Sequence, residues 1–103
     1  MTAPTTVPAS SLPAWYDEHL VDDAALYDIT AQTATSLGAL LIQQRRIASR
    51  ELEREHWSAR LRLVKQQQAA LDPDDRVGLI AQQQAWLDEA NALRAGARAP
   101  LPT

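Results

Sequence analysis

Leu71-Asp72-Pro73-Asp74-Asp75 is the stretch on which the fold turns. Asp72 has the side chain of a helix N-cap, and Pro73 is pre-set for a first helical position, where its missing N–H does no harm. Asp74 and Asp75 complement the positive end of the helix dipole. A helix is therefore expected to start at Pro73, and a tight connection makes it return antiparallel along whatever precedes it. In such a hairpin, levels match when two residue numbers sum to about 144, which sets Val64 opposite Ile80 and Trp57 opposite Trp86 and Leu87.

Outward from the turn, Ala24 to Leu71 contains no proline, one glycine and no cluster of turn residues. This permits one helix over 23–71, whose 48 residues from Ala24 would span about 72 Å. A heptad frame puts Leu26, Thr33, Leu40, Ile47, Arg54, Leu61 and Gln68 at one coiled-coil core position. It puts Ile29, Ser36, Gln43, Arg50, Trp57, Val64 and Leu71 at the other. Thr30, Thr33, Thr35, Ser36 and Gly38 are poor helix formers and mark 35–38 as the place for a kink. Downstream, Val77, Ile80, Gln84 and Leu87 form the stripe of a helix over 73–95, which Gly96 is expected to stop in a left-handed conformation.

Upstream, Ser10 or Ser11 can cap a short helix over 12–21 with Pro13 in its first turn and Leu12, Trp15, Tyr16 and Leu20 on one face. Residues 1–11 and 97–103 have too little apolar bulk to repay ordering and read as tails. The expected fold class is thus all-α: one helical domain over 12–96, made of a long helix, an antiparallel C-terminal helix and a short N-terminal helix. Composition agrees, with nineteen Ala, fourteen Leu and nine Gln against three Gly and no Phe.

The same composition narrows the function. Cysteine is absent, so disulfides and thiolate metal sites are excluded. No apolar run approaches the length of a membrane span, and Met1 to Leu12 carries no base and two prolines, unlike a secretory signal. A soluble, cytoplasmic chain is the expectation. No glycine-rich phosphate loop and no nucleophile elbow occurs, so no enzymatic activity and no cofactor are expected.

The net charge of −3 conceals a segregation. Residues 1–42 hold five acids and no base. Residues 43–65 hold seven bases against Glu51, Glu53 and Glu55, and from 66 onward three bases meet five acids. Arg45, Arg46, Arg50 and Arg54 in the basic stretch are candidate phosphate contacts for a nucleic-acid-binding regulator. The interleaved glutamates and a pI near 5.2 disfavour that alternative.

Glu53-Arg54-Glu55-His56 places Glu53 and His56 at i, i+3, the spacing by which bundle helices point a carboxylate and an imidazole at a di-iron site. Over residues 51–60 alone this resembles the encapsulated ferritin-like family, which would imply a di-iron carboxylate protein assembled across a dimer. A full site needs two such motifs and two further carboxylates, and the chain lacks a matching glutamate in the preceding helix. His19, beside Asp17 and Glu18, is the only other histidine that could join His56.

The largest sequence signal concerns partners. The return helix reaches back only to about Arg50, leaving Leu26, Ile29, Leu37, Leu40, Leu41, Ile42 and Ile47 uncovered unless the short first helix or another chain packs on them. The expectation is a non-enzymatic protein–protein interaction module, of adaptor, antitoxin-like or phage-accessory type. It would act through Leu26, Ile29, Leu37, Leu40, Leu41 and Ile47, and its first partner would be a second copy of itself. Under that expectation, Leu40→Glu separates the copies and leaves the hairpin folded.

Overall fold

A computed structural model describes residues 22–98, and over this range the chain is all-helical, with no strand. Three helices follow in order: α1 (Asp23–Ile47), α2 (Glu51–Ala69) and α3 (Arg76–Arg98). The expected helix over 12–21 and the tail over 1–11 lie outside the described residues.

Asp22 caps α1, its carboxylate accepting the Ala25 N–H at 2.7 Å. The helix continues unbroken through 35–38, the patch of poor helix formers. Thr30, Thr33 and Thr35 each donate their hydroxyl to the carbonyl four residues back, which satisfies them within the helix. Gly38 is buried where α2 crosses, and a Cβ there would meet Leu61 at ordinary contact distance, 3.5 Å.

The long helix over 23–71 is corrected at Ala48–Arg50. Ala48 (φ −65°, ψ 129°) and Arg50 (φ −112°, ψ 144°) are extended, and the chain reverses so that α2 packs against α1. Neither proline nor glycine makes this break. Charge and burial do: Arg45 and Arg46 close the last turn of α1, and Glu51 and Glu53 open the first turn of α2, each favourable to its own helix dipole. Arg54 braces the elbow, donating from Nη1 to the Ala48 carbonyl at 2.9 Å and from Nε and Nη2 to Glu51 at 3.1 and 3.0 Å. The longest dimension of the described residues is 52 Å, shorter than the unbroken helix would require.

The start of α3 is corrected from Pro73 to Arg76. Asp72 Oδ1 accepts the Asp74 N–H at 2.9 Å and so folds a turn over Pro73-Asp74. The cap is Asp75, whose carboxylate accepts the Gly78 N–H at 3.0 Å and whose carbonyl accepts the Leu79 N–H at 2.8 Å. Gly78 leaves room for that carboxylate: a Cβ there would collide with Asp75. Asp75→Ala is expected to cost about 1 kcal/mol in urea unfolding, more than Asp72→Ala, since only Asp75 closes the helix. At the other end α3 passes through Gly96 to Arg98, and no described glycine adopts positive φ. Flanking alanines carry the helix past a residue that costs only about 1 kcal/mol in a helix interior.

Two cross-helix anchors fix the register. Asp23 pairs with Arg76, and Gln68 Nε2 donates to the Ala31 carbonyl at 3.0 Å. Thus α2 is antiparallel to α1, and α3 runs parallel to α1 with an offset of about 53 residues. At that offset Leu26 falls level with Leu79, Thr30 with Gln83 and Leu37 with Ala90, all of them buried. Ala34, Leu37, Leu41, Leu61, Val64, Trp86 and Ala90 form the core, with Leu40, Ile42, Trp57, Leu71 and Leu93 packed at its margin.

The buried line of α1 is Leu26, Thr30, Ala34, Leu37, Gly38 and Leu41. The heptad frame is therefore corrected: α1 packs two helices on adjacent flanks, which needs a broader stripe than a coiled-coil seam. Between α2 and α3, Arg60 forms a bidentate pair with Glu89 at 2.5 and 3.2 Å. Glu89 lies five residues past the level that a tight hairpin assigns to Arg60. Trp57 is half-buried at the core margin, and Trp86 is the tryptophan that the core encloses.

One buried polar atom has no partner among the described residues, Oε1 of Gln83. Thr30 lies at the same level, but its hydroxyl already donates to the Leu26 carbonyl at 2.7 Å.

Candidate functional site

The elbow between α1 and α2 gathers most of what the sequence singles out. Ile47 ends α1 and Leu52 lies in the first turn of α2, and the reversal at Ala48–Arg50 sets both side chains at one corner, 68% and 79% exposed. They flank a cavity of about 410 Å³ lined by Gln44, Ile47, Ala48, Leu52, Glu53, His56 and Trp57. Ala48 is buried at its base, and the His56 ring stands edge-on to Trp57, with centroids 4.7 Å apart and planes at 72°. The aromatic wall is thereby held in place beside two aliphatic side chains that water surrounds.

The partner-binding set expected from the sequence divides in two. Leu26, Leu37 and Leu41 are fully enclosed, because α2 and α3 cover them once the helix breaks. This corrects the expectation of an uncovered stripe. Ile29, Leu40 and Ile47 lie along the edge of that stripe: Leu40 is half-buried and Ile29 and Ile47 are exposed. Leu52 is absent from the sequence-derived set, since the heptad frame places it at neither core position. The signal that could have found it is the change from a basic turn at Arg45-Arg46 to an acidic one at Glu51–Glu53, the dipole mark of a stop and a new start.

The basic stretch is partly consumed by the fold. Arg54 holds Ala48 and Glu51, and Arg60 holds Glu89. Arg45, Arg46 and Arg50 have no ion-pair partner among the described residues. A second cavity, of about 650 Å³, is lined by Arg45, Arg54 and Arg62 together with Glu51, Glu55, Ser58 and Ala59. Three guanidinium groups interleaved with two carboxylates make a weak field for a phosphate chain.

Glu53 and His56 share the wall of the apolar cavity, as their i, i+3 spacing requires. Among the described residues, no three His, Asp or Glu side chains gather where they could hold a metal ion. His19 lies outside the described residues. No described helix is long and apolar enough to cross a membrane. No protein-family model matches the chain, and comparison with curated proteins and with solved structures finds no similar protein.

Proposed function

We propose that the chain is a non-enzymatic protein–protein interaction module of the cytoplasm, an adaptor, antitoxin-like or phage-accessory protein, that engages its partner through the α1–α2 elbow. The observation that carries this reading is the pair Ile47 and Leu52, large aliphatic side chains held in water on either side of a cavity with an aromatic wall. Exposed apolar side chains beside a concave apolar surface are the usual anatomy of an interaction hot spot. A second copy is the first partner to test. The charges around the elbow support it: Arg45, Arg46, Arg50 and Arg54 nearly balance Glu51, Glu53 and Glu55, so two elbows can meet with little net repulsion.

Sedimentation of the full chain over a range of concentrations tests the reading. Self-association is expected, and Ile47→Glu combined with Leu52→Glu is expected to abolish it with the unfolding midpoint nearly unchanged, since both side chains are exposed. A chain that is monomeric throughout, or an association that survives the double substitution, contradicts it.

A further inference from the structure

At 100° per residue, Ile29, Thr33 and Leu40 share one flank of α1, on the side of the buried stripe opposite Ala31, Thr35 and Gly38, which face α2. On α3, Val77, Ile80, Gln84 and Leu87 share the flank opposite Glu89, which reaches α2. Because α1 and α3 are parallel and adjacent, these two flanks border one groove on the face away from α2. It has the position of a fourth helix in a bundle. Val77 is 76% and Ile29 37% exposed, and Ile80 and Leu87 lie outside the core cluster.

We propose that the segment Leu12–Leu20 of the same chain seats in the upper half of this groove, with Leu12, Trp15, Tyr16 and Leu20 against Ile29, Val77 and Ile80. Place and length select this occupant. The segment joins α1 through Val21 and Asp22, and the pairing of Asp23 with Arg76 puts that junction at the mouth of the groove, where α3 begins. Two residues suffice to connect antiparallel helices. As a helix it would carry its apolar residues, at i, i+3, i+4 and i+8, on one face, and nine helical residues would span about 13 Å, against about 15 Å from Val77 to Leu87.

A tether this short gives an effective concentration in the millimolar range, so the segment's own groove is favoured over that of another copy. The segment's reach ends near Ala31 on α1, well short of Leu40. Even fully extended, residues 12–21 cover about 34 Å, less than the roughly 37 Å length of α1. The segment therefore does not itself fill the elbow cavity, and this inference stands independently of the elbow reading.

Since the chain has no cysteine, an introduced pair reports contact cleanly. In the full chain, Tyr16→Cys with Ile80→Cys is expected to oxidise rapidly within one molecule, giving a monomer of altered mobility in non-reducing electrophoresis. Tyr16→Cys with Leu52→Cys is the control and should not close within the molecule. Cross-linked dimers as the main product, or a rate no faster than the control, overturns the proposal. Hydrogen exchange on the chain without cysteines supplies a second readout, with the amides of 12–20 expected to be protected and to lose at least tenfold of that protection in Val77→Asp. Val77 is exposed, so the three-helix core is retained, and unprotected amides in the parent chain also overturn the proposal. Ile47→Glu with Leu52→Glu should leave both readouts unchanged, which separates this inference from the elbow reading.

Discussion

Trp86→Ala is expected to destabilise the protein by about 3–5 kcal/mol, the cost of removing a large aromatic from a site that cannot collapse around the loss. Trp86 is 1% exposed and is the largest side chain the core encloses, in a cluster drawn from all three helices. Trp57→Ala should cost less than half as much, because Trp57 sits half-buried at the core margin with one face on the elbow cavity. Urea unfolding of the two variants measures the difference. The tight-hairpin register makes Trp57 a fully buried partner of Trp86 and gives the two substitutions similar costs, so equal losses would restore it.

The second large effect is at Leu37. It is fully enclosed, level with Ala90 on α3 and close in sequence to Gly38, where α2 crosses. Leu37→Ala is expected to cost about 2–5 kcal/mol. Leu40 lies three residues along on the open flank, half-buried, and Leu40→Glu should cost clearly less. If α1 instead presented one uncovered stripe to a partner, Leu37 and Leu40 would be alike, and both substitutions would weaken association more than folding. Thermal unfolding of each variant beside its sedimentation decides between these patterns.

How much of this was legible in the sequence follows from which forces are local. The helical class rests on alanine, leucine and glutamine content and on the absence of breakers, which act residue by residue. The cap of α1 at Asp22 and the turn at Leu71–Asp75 are likewise local. Even there, three aspartates competed for one cap, and Asp75 prevailed because Gly78 leaves space for its carboxylate.

The break at Ala48–Arg50 was not legible as a break, since no residue in it is a poor helix former of the glycine or proline kind. It is tertiary: α2 covers the Leu37 and Leu41 face, and Arg54 replaces the lost helical bonds around Ala48. Misplacing it had one consequence for the candidate site. The sequence marks Ile47 as apolar and uncovered but gives Leu52 no such mark, so the corner they form is visible only once the break is placed. The glutamines at 82–84 show the same limit. The sequence puts Gln84 on the inward stripe, yet it is Gln83 that is buried, because its level on α3 is that of Thr30.

The chain folds back at Ala48–Arg50, and a distance across that point is the sharpest test of it. Spin labels at Gln32 and Gln66 both sit on exposed positions and leave the core untouched. The fold places them on neighbouring antiparallel helices, so a pulsed electron resonance distance below about 25 Å is expected, from axes about 10 Å apart plus the label arms. An unbroken helix would separate the same positions by about 51 Å, and a distance distribution centred there would contradict the account.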